Sequence, residues 1–137
     1  MPDVKVKFVA GFGPIVKDGA SKALYGDALG IALEQQGDIE GYYHSEKLDG
    51  VRHFALWPLS QAAQSCFGAD AWPSHTSAPN AWIEFDVDDV AEACAALKAR
   101  GYTLLVDARE EPWGQTVGRL LSPEGLLVGV TFTPWMR

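Results

Sequence analysis

The sequence predicts an α+β fold in which two βαβββ modules (strand, helix, three strands) form a curved, half-barrel mixed sheet with the helices outside. Two observations lead to this prediction: a repeated helical segment, and short strand-like runs that flank each copy in the same order. At 137 residues the chain has the length of a single domain. The modules are placed at residues 1–67 and 81–137, with a connector at 68–80.

Two segments of the sequence share the same pattern, and their matching residues are separated by a constant number of positions. Val16-Lys17-Asp18 opens a helical segment that closes at Gly30, and Val87-Asp88-Asp89 opens one that closes at Gly101. Every comparison between the two copies gives an offset of 71 residues. A constant offset from the cap to the closing glycine indicates that one structural unit occurs twice.

The two helices are predicted from their ends and from their apolar spacing. Asp18 and Asp89 suit the N-cap, where a carboxylate accepts from the free amides of the first turn, and Glu92 would complete a capping box. Glycine just past a helix end provides the positive φ that is needed there. The apolar stripes of the two helices are Ala20, Leu24, Tyr25 and Ala28, and Val90, Ala93, Cys94 and Leu97.

Strands are predicted on both sides of each helix, because β-branched and aromatic residues recur there between turn residues. A short additional helix is predicted from Ser60 to Phe67, with Ser60 as its cap and Gly68 as its end. The predicted strands are Val4–Val16, Ile31–Gln35, Glu40–Ser45, Val51–Trp57, Ala81–Val87, Thr103–Asp107, Gln115–Leu121 and Leu126–Thr133.

Composition and charge restrict the expected partners and compartment. The net charge of −7 disfavours nucleic acid and acidic membrane surfaces, because both require a basic face. Cys66 and Cys94 lie among alanines in helical segments and are predicted to be reduced, packed thiols. No apolar run has the length of a spanning helix and the N-terminus lacks a signal-peptide pattern, so a cytoplasmic location is expected.

Strand alternation predicts which side chains face the concave side of the sheet. If the alternate apolar residues pack under the second helix, the inward-facing side chains are Trp82, Glu84 and Asp86, and on the last strand Leu127, Gly129, Thr131 and Thr133. The register of Val51–Trp57 stays open, because a slip of one residue would turn His53, Ala55 and Trp57 outward. One of Tyr42 and Tyr43 must face inward. The predicted ligand-binding residues are Trp82, Trp57, His53, Trp113, Tyr42, Tyr43, Glu84 and Thr131.

A wall of indole and phenol rings suits a planar aromatic ligand, since each stacked pair contributes about 0.5–1.5 kcal/mol beyond area burial. The acidic residues Glu84, Asp86, Glu110 and Glu111 could add attraction for a cationic ligand. For Glu110 and Glu111 a solvated turn is the preferred interpretation.

Several short motifs follow one another along nearly the whole chain: Val16-Lys17-Asp18, Leu24-Tyr25, Leu29-Gly30, Trp82-Ile83-Glu84-Phe85-Asp86-Val87-Asp88-Asp89, Glu111-Pro112-Trp113-Gly114-Gln115 and Ser122-Pro123-Glu124-Gly125-Leu126-Leu127-Val128. Their order, together with the repeat, resembles the vicinal oxygen chelate superfamily, which includes glyoxalase I, extradiol dioxygenases, fosfomycin-resistance enzymes and bleomycin-resistance proteins. The resemblance implies a cavity between the modules and a two-fold homodimer.

The metal-dependent members of that superfamily place a His seven residues before each capping Asp and a Glu on the last strand. The corresponding residues here are Gly11, Trp82 and Gly129, and none of them offers a metal ligand. The histidines are too scattered along the sequence to replace the missing ligands: His44, His53 and His75. No metal and no other cofactor is therefore expected.

The resemblance is greatest to the metal-free, bleomycin-resistance-like branch. It implies the binding of a planar aromatic small molecule or a peptide antibiotic of bleomycin or quinoxaline type, for resistance or carriage. The alternative is a metal-dependent enzyme of glyoxalase or dioxygenase type with a relocated metal, held by His53 and Glu84. Trp82 is expected to contact the ligand, and Trp82→Ala to cost less stability than Phe85→Ala, which would open a core cavity.

Overall fold

A computed structural model describes residues 4–137, so the first three residues of the predicted first module lie outside it. The strands are β1 (Val6–Val16), β2 (Glu34–Gln35), β3 (Tyr43–Ser45), β4 (Phe54–Pro58), β5 (Ala81–Val87), β6 (Val106–Glu110), β7 (Thr116–Leu121) and β8 (Leu127–Phe132). The helices are α1 (Ala20–Lys22), which continues as a π-helix over Ala23–Ala28, then α2 (Leu59–Phe67) and α3 (Val90–Ala99). A 3₁₀ turn covers Pro134–Met136.

Both modules have the same topology, and they join along β1 and β5. β1 pairs parallel with β4, β5 pairs parallel with β8, and the other neighbours within each module run antiparallel. β1 and β5 pair antiparallel, which gives the order β2-β3-β4-β1-β5-β8-β7-β6. The predicted α+β class with two βαβββ modules is therefore confirmed over residues 4–137, as one mixed sheet that is not closed.

The ends of the two repeated helices follow the predicted chemistry. Asp89 Oδ1 accepts a hydrogen bond from the Glu92 amide at 3.0 Å, as an N-cap does. Asp18 lies one residue before the N-cap position, yet its Oδ1 still accepts from the Ala20 amide at 2.9 Å. Past the helix ends, Gly30 and Gly101 adopt positive φ values of 74° and 92°.

Most of the predicted boundaries shift by one to three residues, and two of these shifts have a local cause. Pro58, not Ser60, precedes the first turn of α2, because proline in extended backbone (φ −59°, ψ 136°) leads directly into a helix that begins at Leu59. β6 begins at Val106 rather than at Thr103, because Leu104 packs against the α3 cluster before the chain joins the ladder.

Each repeated helix packs on the outer face of its own module, and this settles which side chains face inward. Val87 and Val130 lie in the cluster beneath α3, as predicted. Phe54 and Leu56 lie in the cluster beneath α1, which resolves the open register of β4. The inward-facing side chains are therefore those of Ala55 and Trp57 on β4 and of His53 directly before it.

The described residues also limit two other properties. Within residues 4–137, no helix has both the length and the apolar composition that a membrane crossing requires. Cys66 and Cys94 are free thiols in the core, and burial raises the pKa of both. A buried thiol with a raised pKa is a poor nucleophile, so neither side chain is a candidate for covalent catalysis.

Candidate functional site

The concave face of the sheet encloses a cavity of about 680 Å³, which is the size of a small-molecule site. Side chains of β4, β5 and β7 form its floor, and α2 closes one end with Gln61, Gln64 and Ser65. Six of the predicted ligand-binding residues line it: Trp82, Trp57, His53, Trp113, Tyr42 and Glu84.

Tyr43 and Thr131, the other two predicted residues, lie outside the cavity lining. Because adjacent strand residues point to opposite faces, Tyr42 faces the cavity and Tyr43 packs in the α1 cluster. Lys22 Nζ lies 5.1 Å from the centre of the Tyr43 ring on that outer side. Thr131 is fully buried, and within the described residues its Oγ1 has no hydrogen-bond partner.

The tryptophans of the cavity differ sharply in exposure. Trp82 is only 3 % exposed, and its Nε1 donates to the Ala55 carbonyl oxygen at 3.2 Å. Trp57 meets it edge-on, with ring centres 6.2 Å apart. Trp113 and Trp135 line the mouth and are each 59 % exposed. Trp113 and Trp135 thus have exposed indole surface that a ligand could contact, whereas Trp82 is a buried part of the floor.

A buried ion pair that the sequence analysis missed lies in the floor. Arg119 Nη1 is 2.9 Å from Glu84 Oε2, and the two side chains are 5 % and 13 % exposed. The guanidinium of Arg119 also lies 4.8 Å from the centre of the Trp57 ring. The available signal was an arginine at an inward-facing position of β7, where the neighbouring residues are apolar.

A chain of hydrogen bonds connects this ion pair with the mouth. Gln115 Nε2 donates to Thr133 Oγ1 at 2.9 Å and to Glu84 Oε1 at 3.4 Å. Trp113 Nε1 donates to Gln115 Oε1 at 3.1 Å. A polar group on a ligand that entered between the exposed indoles would therefore meet a network of carboxylate, amide and guanidinium groups that orient one another.

The Glu84–Arg119 ion pair lies where the resemblance to the vicinal oxygen chelate superfamily implies a metal ion. Gly11 and Gly129 are the ladder neighbours of Glu84, and Arg119 is the ladder neighbour of Gly129. A Cβ atom at position 129 would lie 2.9 Å from Glu84 Cγ, and one at position 11 would lie 2.6 Å from the His53 carbonyl oxygen. The two glycines have no ligand atoms to offer and Arg119 already matches the charge of Glu84. The residues present there do not fit a divalent ion.

Two further carboxylates are held by arginines. Glu111 lines the cavity with a side chain only 9 % exposed, so its interpretation as part of a solvated turn is wrong. Arg109 Nη2 lies 2.7 Å from Glu111 Oε1, and Arg109 also donates to the Ser65 carbonyl oxygen at 3.0 Å. Asp86 is completely buried, and Arg137 donates to its carboxylate at 3.2 and 3.3 Å. Internal pairing thus removes much of the negative charge predicted to attract a cation.

His44 and His53, which look scattered in the sequence, come together on the concave face of β3 and β4. Glu46 Oε1 lies 3.4 Å from His53 Nδ1 and 3.9 Å from His44 Nδ1. The hydroxyl of Tyr42 lies 2.8 Å from His53 Nε2. Burial lowers the pKa of His53, outweighing the opposite effect of the neighbouring carboxylates, so this imidazole is neutral near pH 7. The interpretation of these histidines as isolated is therefore wrong.

Comparison with known proteins agrees with the topology. A family model described as the Glyoxalase/Bleomycin resistance protein/Dioxygenase superfamily matches residues 16–130. No curated protein sequence matches the chain.

Solved structures of the same fold come from several bacteria. One is a glyoxalase/bleomycin resistance protein/dioxygenase superfamily member from Vibrio splendidus 12B01, with a TM-score of 0.59 and 16% identity over 94% of this chain and 100% of that chain. Another is methylmalonyl-CoA epimerase from Mycobacterium tuberculosis, with a TM-score of 0.58 and 18% identity over 99% of this chain and 95% of that chain. At these identities the similarity shows the fold alone.

Proposed function

The chain belongs to the Glyoxalase/Bleomycin resistance protein/Dioxygenase superfamily, and from that premise we propose that it binds a planar aromatic small molecule or peptide in its concave cavity. The observation that best supports this function is the pair of half-exposed indoles, Trp113 and Trp135, at the mouth of a concave cavity lined by aromatic residues. Exposed aromatic surface beside a concave site gains free energy when a flat ligand covers it.

The charges of the cavity favour a ligand with little net charge. Glu84 is paired with Arg119 and Glu111 with Arg109, so neither carboxylate is free to hold a cation. What the floor does offer is a polar surface of Gln115, Glu84 and Arg119, whose charges are balanced and whose groups are held in place by mutual hydrogen bonds. A flat ring system with amide or carbonyl substituents, as in quinoxaline-type peptide antibiotics, matches this lining. Binding such a compound would serve resistance or carriage.

The alternative of an enzyme with a metal on His53 and Glu84 is less well supported. Glu84 accepts from Arg119 at 2.9 Å, and a carboxylate engaged by a guanidinium is a weaker metal ligand. The two residues also lie on β4 and β5, which are separated by β1. Two strand spacings amount to about 9–10 Å between backbones.

We also propose a cytoplasmic location, because the two cysteines are free and buried. Unpaired thiols suit a reducing compartment, whereas secreted domains of this size commonly carry disulfides. Treating cells with a membrane-impermeant amine label before lysis and finding the protein labelled would contradict this location.

Trp113→Ala is expected to weaken binding of a planar aromatic antibiotic by about 1–3 kcal/mol, because one face of the stack is lost. Quenching of tryptophan fluorescence, titrated with bleomycin-type and quinoxaline-type compounds, measures the affinity. Tyr102→Ala is a suitable control, since Tyr102 is 48 % exposed but lies on the outer groove, away from the cavity. Absence of binding by every compound in the panel, or equal affinity of Trp113→Ala and wild type, would contradict the proposed function.

A two-fold homodimer is the expected assembly. β2 and β6 are the outer strands of the sheet, and exposed strand edges usually need cover. Leu29, Ile39 and Trp135 expose 61, 47 and 59 % of their surfaces, which is more apolar area than isolated surface residues require. Light scattering at micromolar concentration should give twice the chain mass of 14.8 kDa. A concentration-independent mass near 14.8 kDa would exclude the dimer.

A further inference from the structure

We propose that His44, Glu46 and His53 form a binding site for a divalent transition-metal ion of the zinc type, on the cavity wall made by β3 and β4. The side chains offer two imidazole nitrogens and one carboxylate oxygen, all within 4.8 Å of one another. Imidazole and carboxylate are the ligands that zinc-type ions prefer among side chains without sulfur. This inference goes beyond the proposed binding of an aromatic molecule and does not depend on it.

The register of the β3–β4 ladder explains why these three residues meet. His44 lies opposite Ala55 in an antiparallel ladder. The last pair of the ladder is Ser45 with Phe54, and Glu46 and His53 are the next residues beyond it, one past the end of β3 and one before the start of β4. Steps of two keep side chains on one face, so all three point to the concave side. A directly opposed pair and its diagonal neighbour are the closest cross-strand arrangement that a sheet provides.

The distances are close to those of a metal centre. Ligand atoms at about 2.0–2.2 Å from a tetrahedral zinc ion lie about 3.3–3.6 Å apart. Glu46 Oε1 lies 3.4 Å from His53 Nδ1, which is within this range, and 3.9 Å from His44 Nδ1. The edge between Glu46 and His44 closes by a small rotation of the Glu46 side chain, which is 55 % exposed. The edge between the two imidazole nitrogens is at most 4.8 Å, and binding of an ion requires a rotation of one ring to shorten it.

An unsatisfied nitrogen independently indicates a missing partner. His44 Nδ1 is buried, and within the described residues it makes no hydrogen bond. A buried polar atom without a partner destabilises the fold, and coordination of a metal ion would offset that cost. The His44 and His53 rings lie nearly parallel, with centres 5.5 Å apart, so both Nδ1 atoms converge on the Glu46 carboxylate.

The second nitrogen of His53 is held by a neighbour that also orients the ring. Tyr42 Oη lies 2.8 Å from His53 Nε2, which leaves Nδ1 as the atom that faces Glu46. Metal-binding histidines usually hydrogen-bond through their other nitrogen, because that bond sets the ring orientation. Tyr42 therefore has the position of an outer-sphere partner of the site.

Three protein ligands leave a fourth coordination position open, as in catalytic rather than structural zinc sites. Glu46 and His53 both line the cavity, so this position faces the space that a ligand would occupy. The site borders the location used by the enzymes of the superfamily, since a Cβ atom at position 11 would lie 3.2 Å from His53 Cβ. It uses none of their three ligand positions, which here are Gly11, Trp82 and Gly129. A donor atom of a bound molecule, or water, would complete the coordination.

The decisive experiment titrates metal-stripped, untagged protein with Zn²⁺ by calorimetry and with Co²⁺ by visible absorption. Wild-type protein should bind one ion per chain, and Co²⁺ should show the intense absorption bands of a four-coordinate site. Glu46→Gln should reduce Zn²⁺ affinity at least about 100-fold, because loss of even an outer-sphere partner costs 10–100-fold. Glu46 is exposed, so its isosteric replacement leaves the fold intact and circular dichroism should not change.

Matched variants separate a specific site from general attraction of cations to an acidic chain. His44→Gln should lose affinity as Glu46→Gln does, and Tyr42→Phe should lose about 10-fold. His75→Gln, in the connector, and Glu124→Gln, in the β7–β8 turn, should bind like wild type. Absence of stoichiometric binding by wild type, or unchanged affinity in both Glu46→Gln and His44→Gln, would overturn the proposal.

Failure of this proposal and failure of the proposed function are distinguishable. Titration with planar aromatic antibiotics in the presence of a chelator tests the function of the cavity without any metal. Metal titration without an organic ligand tests the His44–Glu46–His53 site by itself.

Discussion

Trp82→Ala is expected to lower the free energy of unfolding by about 3–5 kcal/mol, the usual cost of deleting a large buried ring, and by more than Phe85→Ala does. Trp82 is 3 % exposed and belongs to the cluster that includes Ile15, Ala55 and Leu127. Its removal would leave a cavity and would also deprive the Ala55 carbonyl of its donor. Phe85 is only partly buried and borders an open groove on the outer face, so water can fill part of the space that it leaves.

Urea unfolding followed by circular dichroism measures both variants, since the loss of an indole does not distort that signal. Trp82→Phe is the matched control: it keeps an aromatic ring but loses the hydrogen bond, so an intermediate loss is expected. A larger loss for Phe85→Ala would contradict the described packing. This order reverses the expectation from sequence. It also explains why Trp113, at the exposed mouth, is the better residue for testing ligand contact.

Arg119→Met is expected to destabilise the protein by about 3–5 kcal/mol, because it leaves the Glu84 carboxylate in a buried site without its partner. The Arg119 side chain is 5 % exposed and that of Glu84 13 %, so solvent screens the pair little. Removing both charges should cost less than removing one. The double variant Glu84→Gln/Arg119→Met should therefore recover most of the lost stability, as apolar or neutral replacements of buried pairs often do.

A double-mutant cycle on equilibrium unfolding gives the coupling between the two side chains. Lys98→Met serves as the control, since Lys98 pairs with Asp107 at the surface, where both side chains are about half exposed, and its loss should hardly change stability. Additive effects of the Glu84 and Arg119 substitutions would show that the ion pair does not stabilise the floor. In that case the cavity floor would be held by packing and not by the Glu84–Arg119 pair.

Local chemistry was sufficient to predict most of the architecture. The capping aspartates, the closing glycines and the apolar stripes act within one or two turns, and a period of two separates the faces of a strand whatever the strand pairs with. The repeat of 71 residues, the order of the strands and the inward positions of Trp82 and Glu84 follow from these local rules. The register of β4 stayed open because apolar residues occur at both odd and even positions of Val51–Trp57. Either face of the strand could then pack in the core, and only the packing of a helix decides which one does.

Tertiary structure decided what depends on partners far apart in the sequence. Alternation predicts the face on which Trp82 lies but not its depth, which α2 and β4 determine by covering it. Arg119 and Glu84 are 35 residues apart, and they meet because Gly129, on the strand between them, has no side chain in the way. His44, Glu46 and His53 converge because the β3–β4 register places them on one face. Strand pairing brings distant residues together, and no local pattern of the sequence encodes its register.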